Sequence, residues 1–207
     1  MNKQGCLAQD SKDGTKKMKI LIIGMGGEGS FLVKEIVECF DQEQMDPMVE
    51  ITLADFDIVE TKQCLPLGYQ NFSLKEAGKN KAEALSKRYE DYCFNVLKTK
   101  IETAEQLKGT NLIILCVDNN KVRKLVYESG IDYIDLRSTG RRVFCMPKNC
   151  DEMKFLDDDM KSYSCQEQSD LDKGFVQKGH KIASLIGIQM LLNHLRGHDN
   201  KTINLMI

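Results

Sequence analysis

A glycine-rich turn set between a strand and a helix constrains this chain more than any other feature. Lys17 to Ile23 (KMKILII) reads as a buried strand, and Gly24-Met25-Gly26-Gly27-Glu28-Gly29-Ser30 follows it directly. Ser30 to Phe40 then places apolar residues at helical spacing. Glycines 24, 26 and 29 satisfy G-x-G-x-x-G in the strand-to-helix context that the motif needs. The first permits the tight turn, the second lets a phosphate approach the backbone, and the third lets helix and strand pack closely. The free amides and the positive end of the helix that follows suit phosphate oxygens. A turn built only for close packing is the alternative reading at this point.

The rest of the chain alternates strands and helices. Strands are expected at Val49 to Ala54, Phe94 to Lys98, Asn111 to Val117, Asp132 to Leu136 and Arg142 to Met146, and helices at Lys79 to Asp91 and Lys121 to Glu128. Residues 61 to 77, with Pro66 and Gly68, read as a long crossing loop, and 148 to 161 as an acidic loop with a short helix. A closing helix is expected at Gly179 to Leu195, with Ile182, Leu185, Ile186, Ile188, Met190, Leu191 and Leu195 as its apolar face. This order predicts an α/β, Rossmann-like fold: a mainly parallel sheet flanked by helices, with a C-terminal strand pair and the closing helix. Residues 17–207 form one expected domain and residues 1–16 a flexible arm.

Twenty-nine basic against 31 acidic residues leave a net charge of −2, which gives no drive toward nucleic acid or an anionic membrane. The longest apolar run, Leu112 to Val117, suits a buried strand and not a membrane span. The polar N-terminus lacks the apolar centre of a signal peptide, so a cytoplasmic protein is expected. Of the eight cysteines, none forms Cys-x-x-Cys, and mostly free thiols in a reducing compartment are expected.

Ligands in such sheets bind beyond the C-terminal strand ends. The glycine turn, Asp55 and Asp118 all fall there. Asp55 suits a ribose, which taken alone favours NAD as much as ATP. Four ordered motifs go further: Gly-x-Gly-Gly-x-Gly-Ser; Asp55-Phe56-Asp57-Ile58-Val59-Glu60; Gly78-Lys79-Asn80-Lys81-Ala82-Glu83-Ala84; and Cys116-Val117-Asp118-Asn119. Their order and spacing, over residues 17 to 128, resemble the ThiF/MoeB/ubiquitin-activating-enzyme (E1-like) superfamily. Ala183-Ser184-Leu185-Ile186-Gly187-Ile188-Gln189 resembles the end of the same domain.

That resemblance implies an ATP- and magnesium-dependent adenylyltransferase acting on the C-terminal carboxylate of a ubiquitin-like or sulfur-carrier protein, as a homodimer or an E1-like heterodimer. Carried over, Gly24, Gly26 and Gly27 line the phosphates, Asp55 holds the ribose, and Lys81 neutralises phosphate charge. Asp118, with Asn119 beside it, places magnesium. A solvated Lys81 and an Asp118 that merely caps the following helix are the plainer readings.

The chain also departs from that pattern. The family loop Ser-Asn-Leu-x-Arg-Gln aligns with Lys62-Gln63-Cys64-Leu65-Pro66-Leu67, so Gln63 replaces the amide and Pro66 the phosphate-contacting arginine. Lys62 is the nearest substitute, as a point charge without the planar fork. Arg137, Arg141 and Arg142 read as a solvated edge, a carrier-binding cluster or the missing cation. No zinc is expected, since Cys145, Cys150 and Cys165 do not make up two Cys-x-x-Cys pairs. Cys165 is a candidate acyl-accepting thiol with His180 as its candidate partner. Solvated helix positions are the bland reading of His180, His194 and His198. Three functions are therefore carried forward: an adenylyltransferase, a non-catalytic ATP-binding scaffold subunit, and an NAD-dependent oxidoreductase.

Overall fold

In a computed structural model of the chain, the described residues are 17–45, 48–66, 68–148, 166 and 168–207. The expected arm over 1–16, the loop over 149–161 and the candidate thiol Cys165 lie outside them.

The alternating pattern folds as expected. In chain order the elements are β1 (Met18–Ile23), α1 (Gly27–Asp41), β2 (Val49–Ala54), α2 (Lys81–Arg88), β3 (Asn95–Leu97) and β4 (Leu112–Leu115). There follow α3 (Asn120–Glu128), β5 (Asp132–Thr139), β6 (Arg142–Pro147), the single-turn α4 (Gln168–Leu171), α5 (Gly179–Leu195) and β7 (Ile203–Met206). They build one seven-stranded sheet in the order β3-β2-β1-β4-β5-β6-β7. The first five strands run parallel, while β6 and β7 are antiparallel to their neighbours.

Apolar residues on the two sheet faces build two cores. Ile20, Ile22, Leu53, Ile114 and Leu136 face α1 and α5. Leu21, Ile23, Ile113, Leu115 and Tyr133 face α3 and the turn Ala104–Leu107. Continuous apolar runs such as Leu112–Leu115 are what a strand covered on both faces requires. No helix among the described residues is long and apolar enough to cross a membrane.

Three expectations change. The helix expected at Lys79 to Asp91 is shorter, because Asn80 caps it by accepting from the Glu83 amide (3.1 Å) and a 3₁₀ turn at Glu90–Tyr92 ends it. The buried face of α5 is the expected one apart from Leu185, which is 53% exposed, and it is wider: Ile188, Met190 and Leu191 are buried, Ile182, Ile186 and Leu195 pack against the core, and His180, Ala183, Ser184 and Gly187 are buried with them. The helix lies so close to β5 that a Cβ on Gly187 would sit 2.5 Å from Leu136 Cδ1, so small side chains face inward. Strand β7 was not expected at all. Three of its four residues are exposed, so it carries no burial pattern, and its backbone pairing with β6 holds it.

Candidate functional site

The turn after β1 is built as its glycines predict. Gly24 has φ +93°, and a Cβ there would meet the Cys116 carbonyl oxygen at 2.6 Å. A Cβ on Gly29 would lie 1.9 Å from the Gly24 oxygen, so α1 can start this close to β1 only with glycine. Gly26 differs, since its Cβ would meet nothing within 4 Å. It faces open space in a cavity of about 600 Å³ that Gly24, Gly26 and Gly27 help to line. The first ladder bond of α1 runs from the Ser30 amide to the Gly26 carbonyl (3.1 Å). Amides ahead of it have no place in the helical ladder and are left for a ligand.

The strand ends complete the cavity. Asp55, Phe56 and Asp57 follow β2, Thr99 to Glu102 follow β3, and Cys116 to Asn119 follow β4. Asp55 is 8% exposed; its carboxylate accepts from the Met25 amide (2.6 Å) and the Asp57 amide (2.8 Å). Burial pushes its carboxyl above the usual range, against the pull of those two amides and of Lys81. Asp55 thus ties the end of β2 to the glycine turn as well as facing the cavity.

Lys81 is buried at the start of α2, and its Nζ lies 3.4 Å from the half-exposed Asp57 carboxylate. This places a cation at the cavity wall, and the solvated-lysine reading fails. Asn80 holds it there: its Nδ2 donates to the Asp55 carbonyl (2.8 Å) and the Asp57 carbonyl (3.1 Å). Asp118 is exposed to the cavity and does not cap α3, because Asn119 does so by accepting from the Lys121 amide (2.9 Å). Asp57 and Asp118 line the same cavity as Lys81. Magnesium is usually held by one or two carboxylates together with substrate phosphates, and this donor set fits that chemistry.

The crossing loop covers the turn. Ser30 Oγ accepts from the Asn71 amide (2.9 Å), and Asn71 Nδ2 donates to the Ser30 carbonyl (3.1 Å). Arg88 holds the loop from below through Glu76 and the Asn71 carbonyl (2.7 Å). Gln63, Tyr69 and Gln70 of this loop line the cavity. Lys62 does not: its side chain is 79% exposed and paired with Glu60 at 2.9 Å. The three arginines supply no substitute either. Arg137 is spent on Asp135 (2.9 Å) and the Tyr127 hydroxyl (2.6 Å), while Arg141 and Arg142 are exposed at the hairpin and outside the cavity lining. The lysines lining the cavity are Lys81, Lys100 (4.6 Å above the Phe56 ring) and Lys121.

Thr99 to Glu102, Tyr69, Gln70, Lys121, Val122 and Leu125 are lining residues that sequence reasoning missed. They carry no local motif; only their position after β3, in the loop or on α3 brings them in. The bland reading of His180 is also overturned. It is fully buried against Phe31 and Tyr69, and burial lowers its pKa to about 4. Gln166 Nε2 lies 3.1 Å from its Nδ1. His194 is half-buried and His198 exposed. Cys39, Cys64, Cys116 and Cys145 are buried free thiols, and Cys93 is disulfide-bonded. Burial pushes the Cys145 thiol far up. Among the described residues no group of three or more His, Cys, Asp or Glu side chains is placed to hold a metal on its own.

A mainly parallel sheet with an anion-ready helix start, a strand-end carboxylate and a buried lysine around one cavity defines an α/β nucleotide-binding protein. The chain belongs to the ThiF family, whose pattern it matches over residues 6–190. Its fold is similar to that of E. coli MccB solved with ATP: TM-score 0.65, 17% identity, 93% of this chain and 61% of that one. It is also similar to E. coli MccB solved with MccA (TM-score 0.62, 18% identity, 93% and 61%) and to PaaA (TM-score 0.62, 18% identity, 93% and 70%). The chain therefore spans about three fifths of the length of the MccB structures. Among the curated proteins none matches it in sequence.

Proposed function

We propose that the chain binds ATP in this cavity and adenylates the C-terminal carboxylate of a protein or peptide. The observation that carries the reading is the convergence of Gly26, Asp55, Lys81 and Asp118 on one cavity wall system. In this reading the amides at the start of α1 hold the phosphates and Asp55 holds the ribose. A carboxylate oxygen of the substrate attacks the α-phosphorus, the bond from that phosphorus to the α,β-bridging oxygen breaks, and acyl-AMP forms while the β- and γ-phosphates leave as pyrophosphate. Two anions must approach one another, so a buried cation at Lys81 lowers the barrier more in the transition state than in the ground state. Asp118, assisted by Asp57, would hold magnesium, which neutralises phosphate charge when bound.

The carrier-type substrates that the resemblance implies, and the MccA solved with MccB, favour a polypeptide carboxylate as the acyl group. A ubiquitin-like or sulfur-carrier protein is the specific substrate proposed, acted on by a homodimer or an E1-like heterodimer. Labelled pyrophosphate, ATP and candidate carriers ending in Gly-Gly test this. Label returning to ATP, lost on Lys81→Ala and on Asp118→Ala, supports adenylation.

A second reading, an ATP-binding scaffold subunit, is favoured by Pro66 in the arginine position and by Lys62 turned away on Glu60. It predicts ATP binding without exchange for any carrier. Preference for NADH over ATP would sink both.

A further inference from the structure

The variable position inside the phosphate turn holds a carboxylic acid, and the mechanism above gives it no task. Glu28 stands between Gly27 and Gly29 in the first turn of α1, yet its side chain is only 2% exposed. It points away from the cavity into the layer between α1, β5 and β6, while its carbonyl is fixed by the Ser184 hydroxyl of α5 at 2.7 Å.

The groups that face the carboxyl come from three elements. α3 brings Arg123, β5 brings Asp135 and Ser138, and β6 brings the Cys145 thiol. Arg123 attracts it only at a distance, being already engaged by Asp135 (3.3 Å), Asn120 (3.1 Å) and the Val117 carbonyl. Asp135 opposes a negative charge, and the Cys145 thiol, which burial keeps protonated, brings no cation. Ser138 favours the anion through its hydroxyl and its backbone amide, yet Glu28 Oε1 and Ser138 Oγ have no geometrically formed hydrogen bond among the described residues, so that help is partial. A carboxylate so placed is poorly compensated and sits near its protonation midpoint in neutral solution: burial, above all, lifts its pKa to about 7.

What partial compensation the anion has includes the amides and positive end of α1. A polyphosphate on the turn uses those same groups and brings several negative charges to the neighbouring residue. Two anions then compete for one helix end, and protonating Glu28 relieves the competition. We propose that Glu28 makes nucleotide binding proton-linked: the chain takes up a proton at this carboxyl when a polyphosphate settles on the turn, and its affinity for ATP falls as neutral solution becomes alkaline. This rests on the ATP-binding part of the proposed function and not on adenylation.

The sign follows from linkage. Below neutral pH the free protein is already protonated at Glu28, so binding takes up no proton there and affinity is highest. Above it, each binding event must first bring a proton in, and affinity declines by up to about tenfold per pH unit at full coupling.

Titration calorimetry with MgATP in phosphate, HEPES and Tris buffers, whose ionisation heats differ, counts the protons. At pH 7.5 the wild-type chain should take up a substantial fraction of a proton more than Glu28→Gln, an excess that vanishes at pH 6. Between pH 6.5 and 8.5 wild-type affinity should fall about threefold or more beyond any change in the variant. Glu28→Leu serves if the glutamine variant does not fold. ATP's own titration is common to all three proteins and cancels. Equal proton counts in wild type and variants, with ATP bound by each, overturn the linkage alone. No ATP binding by the wild type overturns the nucleotide reading, and the linkage with it.

Discussion

Gly26 and Gly29 are the same residue type three positions apart, and the structure asks opposite things of them. A methyl on Gly29 would collide with backbone at 1.9 Å, while one on Gly26 would enter the open cavity. Gly29→Ala should therefore fail to fold or unfold far below the wild type. Gly26→Ala should keep its stability within about 1 kcal/mol and lose ATP affinity, as urea unfolding and nucleotide titration would show. Lys81→Ala should likewise melt near the wild type yet lower pyrophosphate exchange by about 100-fold or more. Glu28 adds a signature in stability. Its folded pKa lies near 7 and its unfolded pKa at 4.5, so the folded state binds the extra proton between them. Stability from this group is complete below pH 4.5 and is lost as pH rises through 7, by up to about 3 kcal/mol. The stability of Glu28→Gln relative to wild type should rise by that order between pH 4.5 and 8, read from urea midpoints.

The crossing loop is the element on which the site most depends, and Ser30 and Asn71 hold it at the centre. Removing the Ser30 hydroxyl leaves the Asn71 amide without its acceptor, at a cost of about 1 to 3 kcal/mol. Ser30→Ala should speed amide exchange across residues 61–73 more than in β1 or β4, measured by hydrogen–deuterium exchange. Helix α5 shows how packing widens what pattern gives. Periodicity finds Ile188, Met190 and Leu191 on the buried side but not the small residues beside them. The close approach of Gly187 to Leu136 selects the side with small residues, and His180 is buried with them.

Across the whole molecule, His180 and Glu28 set opposing pH dependences. His180 is neutral in the folded state, so its contribution is present above pH 6.5 and lost as pH falls through 4, while that of Glu28 is lost as pH rises. The two offset each other between about pH 4.5 and 6.5. The alternation of strands and helices and the strand-end convergence of the glycine turn, Asp55 and Asp118 were legible in the chain, as was Lys81 through its motif, because each rests on local sterics or on a motif of fixed spacing. Glycine has no Cβ wherever it stands, and a four-residue apolar run such as Leu112–Leu115 demands cover on both faces in any context. The environments of Glu28 and His180, the engagement of Lys62 by Glu60 and of Arg137 by Asp135, and the pairing of β7 were not legible. Burial, charge compensation and edge pairing are sums over partners far away in sequence, Arg123 and Ser138 for Glu28 and β6 for β7, and those partners meet only when the sheet closes.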